Sequence, residues 1–402
     1  MKDNIPKRKQ VQYTEKELKR INRRKRRIID ELEELKEEKK ENKIYPNQKR
    51  CGKKLVHKFH KDLKKVVQLV IGLTQSGKTG AMISLIKEIF KHKDIIISTE
   101  YIFIITGLSS KEWKSQTKNR FPEILHKNIF HNGNLEEFKK KVKGKKNVLI
   151  IIDEIQYGGR YRQRIYKMFK ELNFYEANYL LENDIKIVEF TATPDGHFKD
   201  VKSLKKHSKI FKLEPGDNYT SIFKLYDDNR VKQAEELLCL KSNKELDFKL
   251  FDKKTKVFND TLNTFEEPKY VIIRCSINKN NNDNYDKLIT LFKKKYNETE
   301  YDYIYYDKDN NDIDDINDKL KIKPNKHTFI FIKERLRCAK TITKTHLGIV
   351  YERIPKGTPI DSTIIQGLAG RCTGYDIPDD LVCFTNVESI IKYRTAWESN
   401  FE

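Results

Sequence analysis

The run Gly72-Leu-Thr74-Gln75-Ser76-Gly77-Lys78-Thr79 sets two glycines, a lysine and a hydroxyl in the order G-x-x-x-x-G-K-[ST]. Glycines at those positions let the backbone curl until successive N–H groups point at one anion. A lysine and a hydroxyl at the end of the curl suit a phosphate chain and its divalent cation. The context is favourable: the apolar run Val66–Ile71 leads in, and Met82, Leu85, Ile86, Ile89 and Phe90 follow at helical spacing. A strand–loop–helix unit of this kind aims a helix N-terminus at phosphate. Gly72, Thr74, Gln75, Ser76, Gly77, Lys78 and Thr79 are therefore expected to hold a nucleotide, with Lys78 on its β- and γ-phosphates and Thr79 on magnesium.

Further along, Val148–Ile152 delivers Asp153 and Glu154 at the end of a wholly apolar run. Magnesium needs a second anchor besides Thr79, and Asp153 would supply it. A water attacking a γ-phosphate needs an acceptor, and Glu154 would be the general base. The expected reaction is hydrolysis of a nucleoside triphosphate, with ATP and Mg2+ as substrate and cofactor.

These residues require strands and helices to position them. Apolar runs at Val66–Ile71, Tyr101–Ile105, Val148–Ile152, Ile187–Phe190, Tyr270–Ile273, Thr328–Ile332, Leu347–Tyr351 and Leu381–Phe384 are short and rich in Val and Ile, as strands buried on both faces are. Helical patterns alternate with them, so the expected fold is α/β with parallel sheets. The first series closes near Glu214, Pro215 and Gly216. A polar region with one expected helix, Asn229 to Leu240, precedes the second series. The expected organisation is a basic, charged helical arm over 1–54, a nucleotide-binding domain over 55–217, a connector over 218–268 and a second α/β domain over 269–402. Within the arm, Thr14–Lys43 has neither Gly nor Pro. Leu18, Ile21, Ile28, Leu32 and Leu35 recur there at three- and four-residue steps, which reads as one amphipathic helix. A solvated arm, a phosphate-contacting or nuclear-targeting arm and a dimerising helix all stay open.

The 402 residues carry a formal charge of +23, with 35% charged and 37% hydrophobic residues, enough for real cores and suited to a polyanionic partner. No stretch approaches about eighteen uncharged apolar residues, so no spanning helix is expected. The first residues hold no apolar run of the secretory kind. Six scattered cysteines (Cys51, Cys239, Cys275, Cys338, Cys372 and Cys383) form no Cys-x-x-Cys pair and fit reduced thiols. An intracellular, soluble protein of cytoplasm or nucleus is expected; oligomeric state is open. Asp307-x-Asp309-x-Asn311 mimics a calcium loop but has Asp312 where a glycine is needed. His57 and His60 have metal-like spacing without a neighbouring cysteine or carboxylate constellation, and read as surface residues.

Asp153-Glu154-Ile155-Gln156 resembles the DExH/DExQ box of superfamily-two helicases and translocases. Thr191-Ala192-Thr193-Pro194 is similar to the family's Ser/Thr-Ala-Thr motif, and Gln366-Gly-Leu-Ala-Gly370-Arg371 to its Gln-x-x-Gly-Arg motif. The order is the family's, and the resemblance covers roughly 55–390. It implies two tandem RecA-like P-loop domains with nucleotide hydrolysed in the cleft between them. Gln156, Thr191 and Thr193 would couple phosphate state to movement, and Arg371 would be an arginine finger with Gln366 beside it. Thr106-Gly107-Leu108-Ser109-Ser110 sits where the family grips a nucleic-acid backbone, with Trp113 a base-stacking or core residue. Lys333, Arg337 and Lys340 lie in Lys333–Thr341, which resembles the second strand-binding motif, most closely as found in helicases of large DNA viruses and phages. A viral source is therefore an expectation too. The chain departs from the family in three ways: one extra residue between Gln366 and Gly370, Gly374 in place of a second arginine, and no upstream glutamine motif. A DNA-packaging ATPase and a helicase-like nucleic-acid-binding or assembly subunit remain the alternatives; DNA or RNA stays open as the partner.

Overall fold

Apolar runs without polar alternation can bury both faces only in the middle of a sheet covered by helices on each side, and the chain uses them so. The computed structural model describes residues 13–38, 44–108, 111–155, 163–194, 204, 206–275, 283–307, 312–333, 336, 341–354 and 364–401, with the side chains of 32–38, 111, 112 and 116 outside that description. The chain divides into two units, Met1–Gly216 and Asp217–Glu402.

The first unit holds β1 (Val67–Gly72), β2 (Ile102–Thr106), β3 (Ile129–Phe130), β4 (Val148–Asp153), β5 (Ile185–Thr191) and β6 (Ser208–Leu213). Their order is β3-β2-β4-β5-β1-β6, with every pairing parallel. The strand carrying the phosphate loop and the strand carrying the acidic pair are thus separated by β5 alone, which puts their ends roughly 10 Å apart. Ligands of open parallel sheets gather at that C-terminal edge.

Four helices matter for the site: α1 (Glu15–Glu38), α2 (Pro46–Lys61), α3 (Lys78–Lys91) and α4 (Lys111–Arg120). Helix α1 covers most of the helix expected over Thr14–Lys43, whose residues 39–43 lie outside the described residues, and it is docked on the first unit. Ile21, Lys25 and Ile28 are buried, Lys25 Nζ donates to the Ile95 carbonyl (3.5 Å), and Arg24 pairs with Glu100. Helix α2 packs along α3 so closely that a Cβ on Gly52 would meet Ser84 C at 2.7 Å and Leu85 N at 2.8 Å.

The second unit holds β7 (Val231–Gln233), β8 (Tyr270–Arg274), β9 (Asp302–Tyr306), β10 (Thr328–Ile332), β11 (Leu347–Tyr351) and β12 (Val382–Thr385), in the order β7-β12-β11-β8-β10-β9, again parallel. The α/β class and both parallel sheets are as expected. The helix expected over Asn229 to Leu240 is not there. Val231, Ala234 and Leu237 are buried at a helical spacing of three, but the segment pairs beside β12 as an edge strand, and Ala234 N–H donates to the Thr385 carbonyl (2.9 Å). A vacant sheet edge outweighed local periodicity. Residues 218–268 also supply the helices Phe248–Lys254 and Lys256–Leu262, whose Phe251 and Phe258 enter the second core. They are part of this unit and do not stand apart as a connector. Asp312 and Asp315, from the calcium-like run, bind backbone instead: Asp312 Oδ2 accepts from Tyr305 N–H (2.7 Å) and Asp315 Oδ1 from Asn317 N–H (2.7 Å). Residues 308–311 of that run lie outside the described residues.

Cys51, Cys239, Cys275, Cys372 and Cys383 are buried and free; Cys338 lies outside the described residues. Among the described residues, no helix is long and apolar enough to cross a membrane.

Candidate active site

Strand β1 is buried throughout and ends at Gly72, where a Cβ would stand 3.0 Å from Ser76 Oγ and 3.2 Å from Lys78 Cγ. The chain then curls. Gln75 takes a left-handed φ of 57°, Ser76 N–H donates to the Leu73 carbonyl (3.2 Å), and Gly77 opens α3. Ser76 is fully buried, and among the described residues its hydroxyl has no hydrogen-bond partner. An orphaned hydroxyl inside a curl of amides is what a phosphate oxygen would satisfy. Lys78 Nζ lies 3.4 Å from the Gly72 and Leu73 carbonyls and 3.7 Å from Glu154 Oε1. Gln48, near the start of α2, presses its carboxamide onto Gly77 and Gly80, while its Oε1 accepts from Tyr45 N–H (3.0 Å).

Asp153 closes β4, and Glu154 follows with φ 53°, a left-handed conformation costing a non-glycine residue about 1–3 kcal/mol. Such strain persists where the surroundings over-determine it, and here it aims the Glu154 carboxylate back at Lys78. Two residues of α4 reach into this edge. Trp113 is buried, and its indole N–H donates to Asp153 Oδ2 (2.8 Å); it is a core residue, not a base-stacking one. Arg120 Nη1 donates to Thr79 Oγ1 (3.4 Å). Burial pushes the Asp153 carboxyl up to about 6, helped by the Glu154 charge; the Trp113 hydrogen bond and the positive charges of Lys78 and Arg120 oppose it. The Thr79 hydroxyl and the Asp153 carboxylate are hard oxygen donors at the same C-terminal edge of the sheet. They are chemically suited to magnesium, and the amide curl with its orphaned hydroxyl is suited to phosphate.

At the end of β5, buried Thr191 turns the chain with its own hydroxyl, which accepts from Thr193 N–H (3.0 Å) and donates to the Thr193 carbonyl (2.9 Å). Thr106 is also buried, and its hydroxyl accepts from Leu108 N–H (3.3 Å), so it shapes the exit of β2. Ser109, Ser110, Gln156, Arg337 and Lys340 lie outside the described residues.

In the second unit, Gln366 and Arg371 are both buried, and Arg371 Nη1 donates to the Gln366 (3.1 Å) and Gly367 (2.6 Å) carbonyls. Gly374 has φ 113° and exchanges backbone hydrogen bonds with Thr220 (2.8 and 3.0 Å), a conformation that an arginine there would not adopt without strain. Arg274 ends β8 and pairs at 2.8 Å with Glu352, the residue after β11, with both side chains nearly buried. Glu352 Oε2 accepts from Leu368 N–H (2.9 Å), and Arg274 Nη2 donates to the Leu336 carbonyl (2.8 Å). This pair therefore fixes the segment carrying Arg371. Lys333 follows β10, with Nζ 5.5 Å over the Tyr285 ring.

Sequence reading passed over Gln48, Arg120, Arg274 and Glu352, and for Trp113 it left the core and stacking roles open. Arg274 and Glu352 carried a usable signal: each is a charged residue at the end of a buried strand, like Asp153.

No family model matches the chain. An uncharacterized protein of Acanthamoeba polyphaga mimivirus is 28% identical over 348 residues, covering 81% of this chain and 80% of the relative. Similar solved structures include Dbp5 of S. cerevisiae bound to RNA and ADP BeF3 (14% identity, TM-score 0.43, 90% of this chain and 93% of that one). The E. coli DExH-box NTPase HrpB (12%, 0.49) matches over 85% of this chain, which spans 42% of HrpB. The Hef helicase domain of Pyrococcus furiosus (9%, 0.42) matches over 89% of this chain and 98% of that one.

Proposed function

We propose that this chain is an ATP-hydrolysing nucleic-acid motor of the superfamily-two type, a helicase or translocase built on two RecA-like domains. The observation that carries the reading is the meeting of Lys78 and Glu154 at 3.7 Å, with Asp153 and Thr79 each held by a residue of α4. An ion pair between the phosphate-loop lysine and a strained carboxylate supports an edge prepared for a triphosphate. The phosphate chain takes over Lys78, which releases Glu154 to accept a proton from water. Magnesium held by Thr79 and Asp153 would neutralise phosphate charge. Gln156, Thr191 and Thr193 then sense the γ-phosphate, and Arg371 from the second unit adds positive charge to the transferring group. Thr106, Ser109, Ser110, Lys333, Arg337 and Lys340 are proposed for the nucleic-acid backbone, with Thr106 acting by turning the chain. The formal charge of +23 supports a sequence-independent grip on that polyanion.

One observation favours a second reading, a helicase-like binding or assembly subunit with slow turnover: the Arg371 guanidinium is engaged by carbonyls of its own segment. A packaging ATPase is less well supported, because the second unit is a six-stranded parallel sheet. Steady-state ATP hydrolysis with no nucleic acid, single-stranded DNA, duplex DNA and RNA separates them. A motor shows stimulation by at least one polymer, and Lys78→Ala and Glu154→Gln nearly abolish it. Turnover that no polymer changes would favour the second reading.

A further inference from the structure

We propose that His60, His92 and Asp94 form a binding site for a borderline divalent transition metal, zinc above all, on the face of the first unit opposite to the phosphate loop along α2 and α3. The three residues come from two parts of the chain, the end of α2 and the turn that follows α3. His60 is in the last turn of α2, His92 caps the C-terminus of α3, and Asp94 follows two residues later. One ligand atom from each lies within 4.8 Å of the others. His60 Nδ1 is 3.7 Å from Asp94 Oδ2, and the two imidazole centroids are 4.7 Å apart with the rings tilted by 51°. Tetrahedral zinc, with bonds of roughly 2.0–2.1 Å, wants ligand atoms about 3.3 Å apart. Small side-chain rotations close that gap. The Asp94 N–H donates to His92 Nδ1 (3.2 Å), a hydrogen bond that zinc bound at this nitrogen would have to displace.

The surroundings support a cation for a second reason. Both histidines stand at helix C-termini, where the unsatisfied carbonyls carry partial negative charge, and Asp94 adds a full one. Lys25 of α1, with its ammonium near the Ile95 carbonyl, opposes them and sets a limit on affinity. Two nitrogens and one oxygen select zinc over magnesium, and a fourth position is left for water. The consequence is mechanical. Helices α2 and α3 meet the phosphate loop at their N-terminal ends, through Gln48 and Lys78, and the metal would clamp their C-terminal ends together.

The test does not depend on nucleotide chemistry. The chelator-stripped full chain is titrated with ZnCl2 by calorimetry in excess Mg2+, with Co2+ as the spectroscopic probe. The expected result is one site of micromolar-range affinity and tetrahedral Co2+ absorption. His60→Ala, His92→Ala and the exposed-site variant Asp94→Asn should each weaken zinc by at least about tenfold. Lys25→Met should tighten it. Circular dichroism of the metal-free variants keeps folding out of the comparison, and Asp94→Asn stands alone if a histidine variant misfolds. Equal zinc affinity for the unaltered chain and Asp94→Asn, or the absence of any one-to-one site, overturns the proposal.

Discussion

Lys78, Thr79, Asp153 and Glu154 could be read because each belongs to a short run whose neighbours identify it: glycines and a helix around the first two, an apolar strand before the others. Trp113 and Arg120 could not. They act on partners about forty positions away, and nothing local to a tryptophan or an arginine says that it will face a carboxylate or a hydroxyl across a sheet edge. Their effect falls on charge. Asp153 is raised because burial disfavours its ionised form, more than the indole hydrogen bond and nearby cations offset. A proton and magnesium then compete for the same carboxylate. With the carboxyl pushed up to about 6, the ionised, metal-ready form is depleted as pH falls below that value and restored above it. Magnesium-dependent nucleotide affinity should therefore rise several-fold between about pH 5 and about pH 7.5. In Asp153→Asn it should be weak and nearly flat. Binding titrations in buffers of matched ionic strength check this; a flat profile for the unaltered chain would mean that Asp153 does not hold the metal.

Among the elements, legibility followed burial. The eight apolar runs are all strands, because a segment buried on both faces has no polar positions to confuse its pattern. The strands that escaped notice are β3, only two residues long, and the edge strands β6, β7 and β9, whose Lys209, Lys212, Lys232 and Asp302 interrupt the run. Edges need such residues, since an unpaired apolar edge invites aggregation. Helix α2 was hidden differently: its buried face is Asn47, Gln48, Cys51, Gly52, Leu55, Val56 and Phe59, of which only the last three are large and apolar. Gly52 is there because Ser84 and Leu85 of α3 leave no room for a methyl group. Gly52→Ala must push α2 off α3 against backbone atoms, at a cost of roughly 1–3 kcal/mol for an overpacked contact. For a unit of this size each kcal/mol lowers Tm by about 2–4 °C. The displacement also carries Gln48 away from Gly77 and Gly80, so nucleotide affinity should drop with stability. Thermal unfolding and nucleotide titration of Gly52→Ala check both together. An unchanged Tm would show that α2 does not pack as described.

For the whole chain, two series of strands announced two sheets, and the structure has two, one in Met1–Gly216 and one in Asp217–Glu402. What the sequence could not disclose is how far the second unit enters the chemistry. All of Lys78, Thr79, Asp153 and Glu154 belong to the first unit. If these alone sufficed, the second would be a binding platform. Arg371 decides between the two possibilities. It is buried and bonded to the Gln366 and Gly367 carbonyls, in a segment fixed by the Arg274–Glu352 pair. As a finger, the guanidinium would have to exchange those carbonyl bonds for phosphate oxygens, which is why removing it separates the two readings. A finger that completes the charge around a transferring phosphoryl group contributes about 10³–10⁵ in rate where such fingers operate. Arg371→Ala should therefore leave the nucleotide dissociation constant within about twofold, because the phosphate loop is untouched, and should lower kcat by at least about 10². Arg371→Lys should recover little, since a point charge cannot replace a planar fork. Normal kcat in Arg371→Ala would confine catalysis to the first unit and leave the second as a nucleic-acid-binding module.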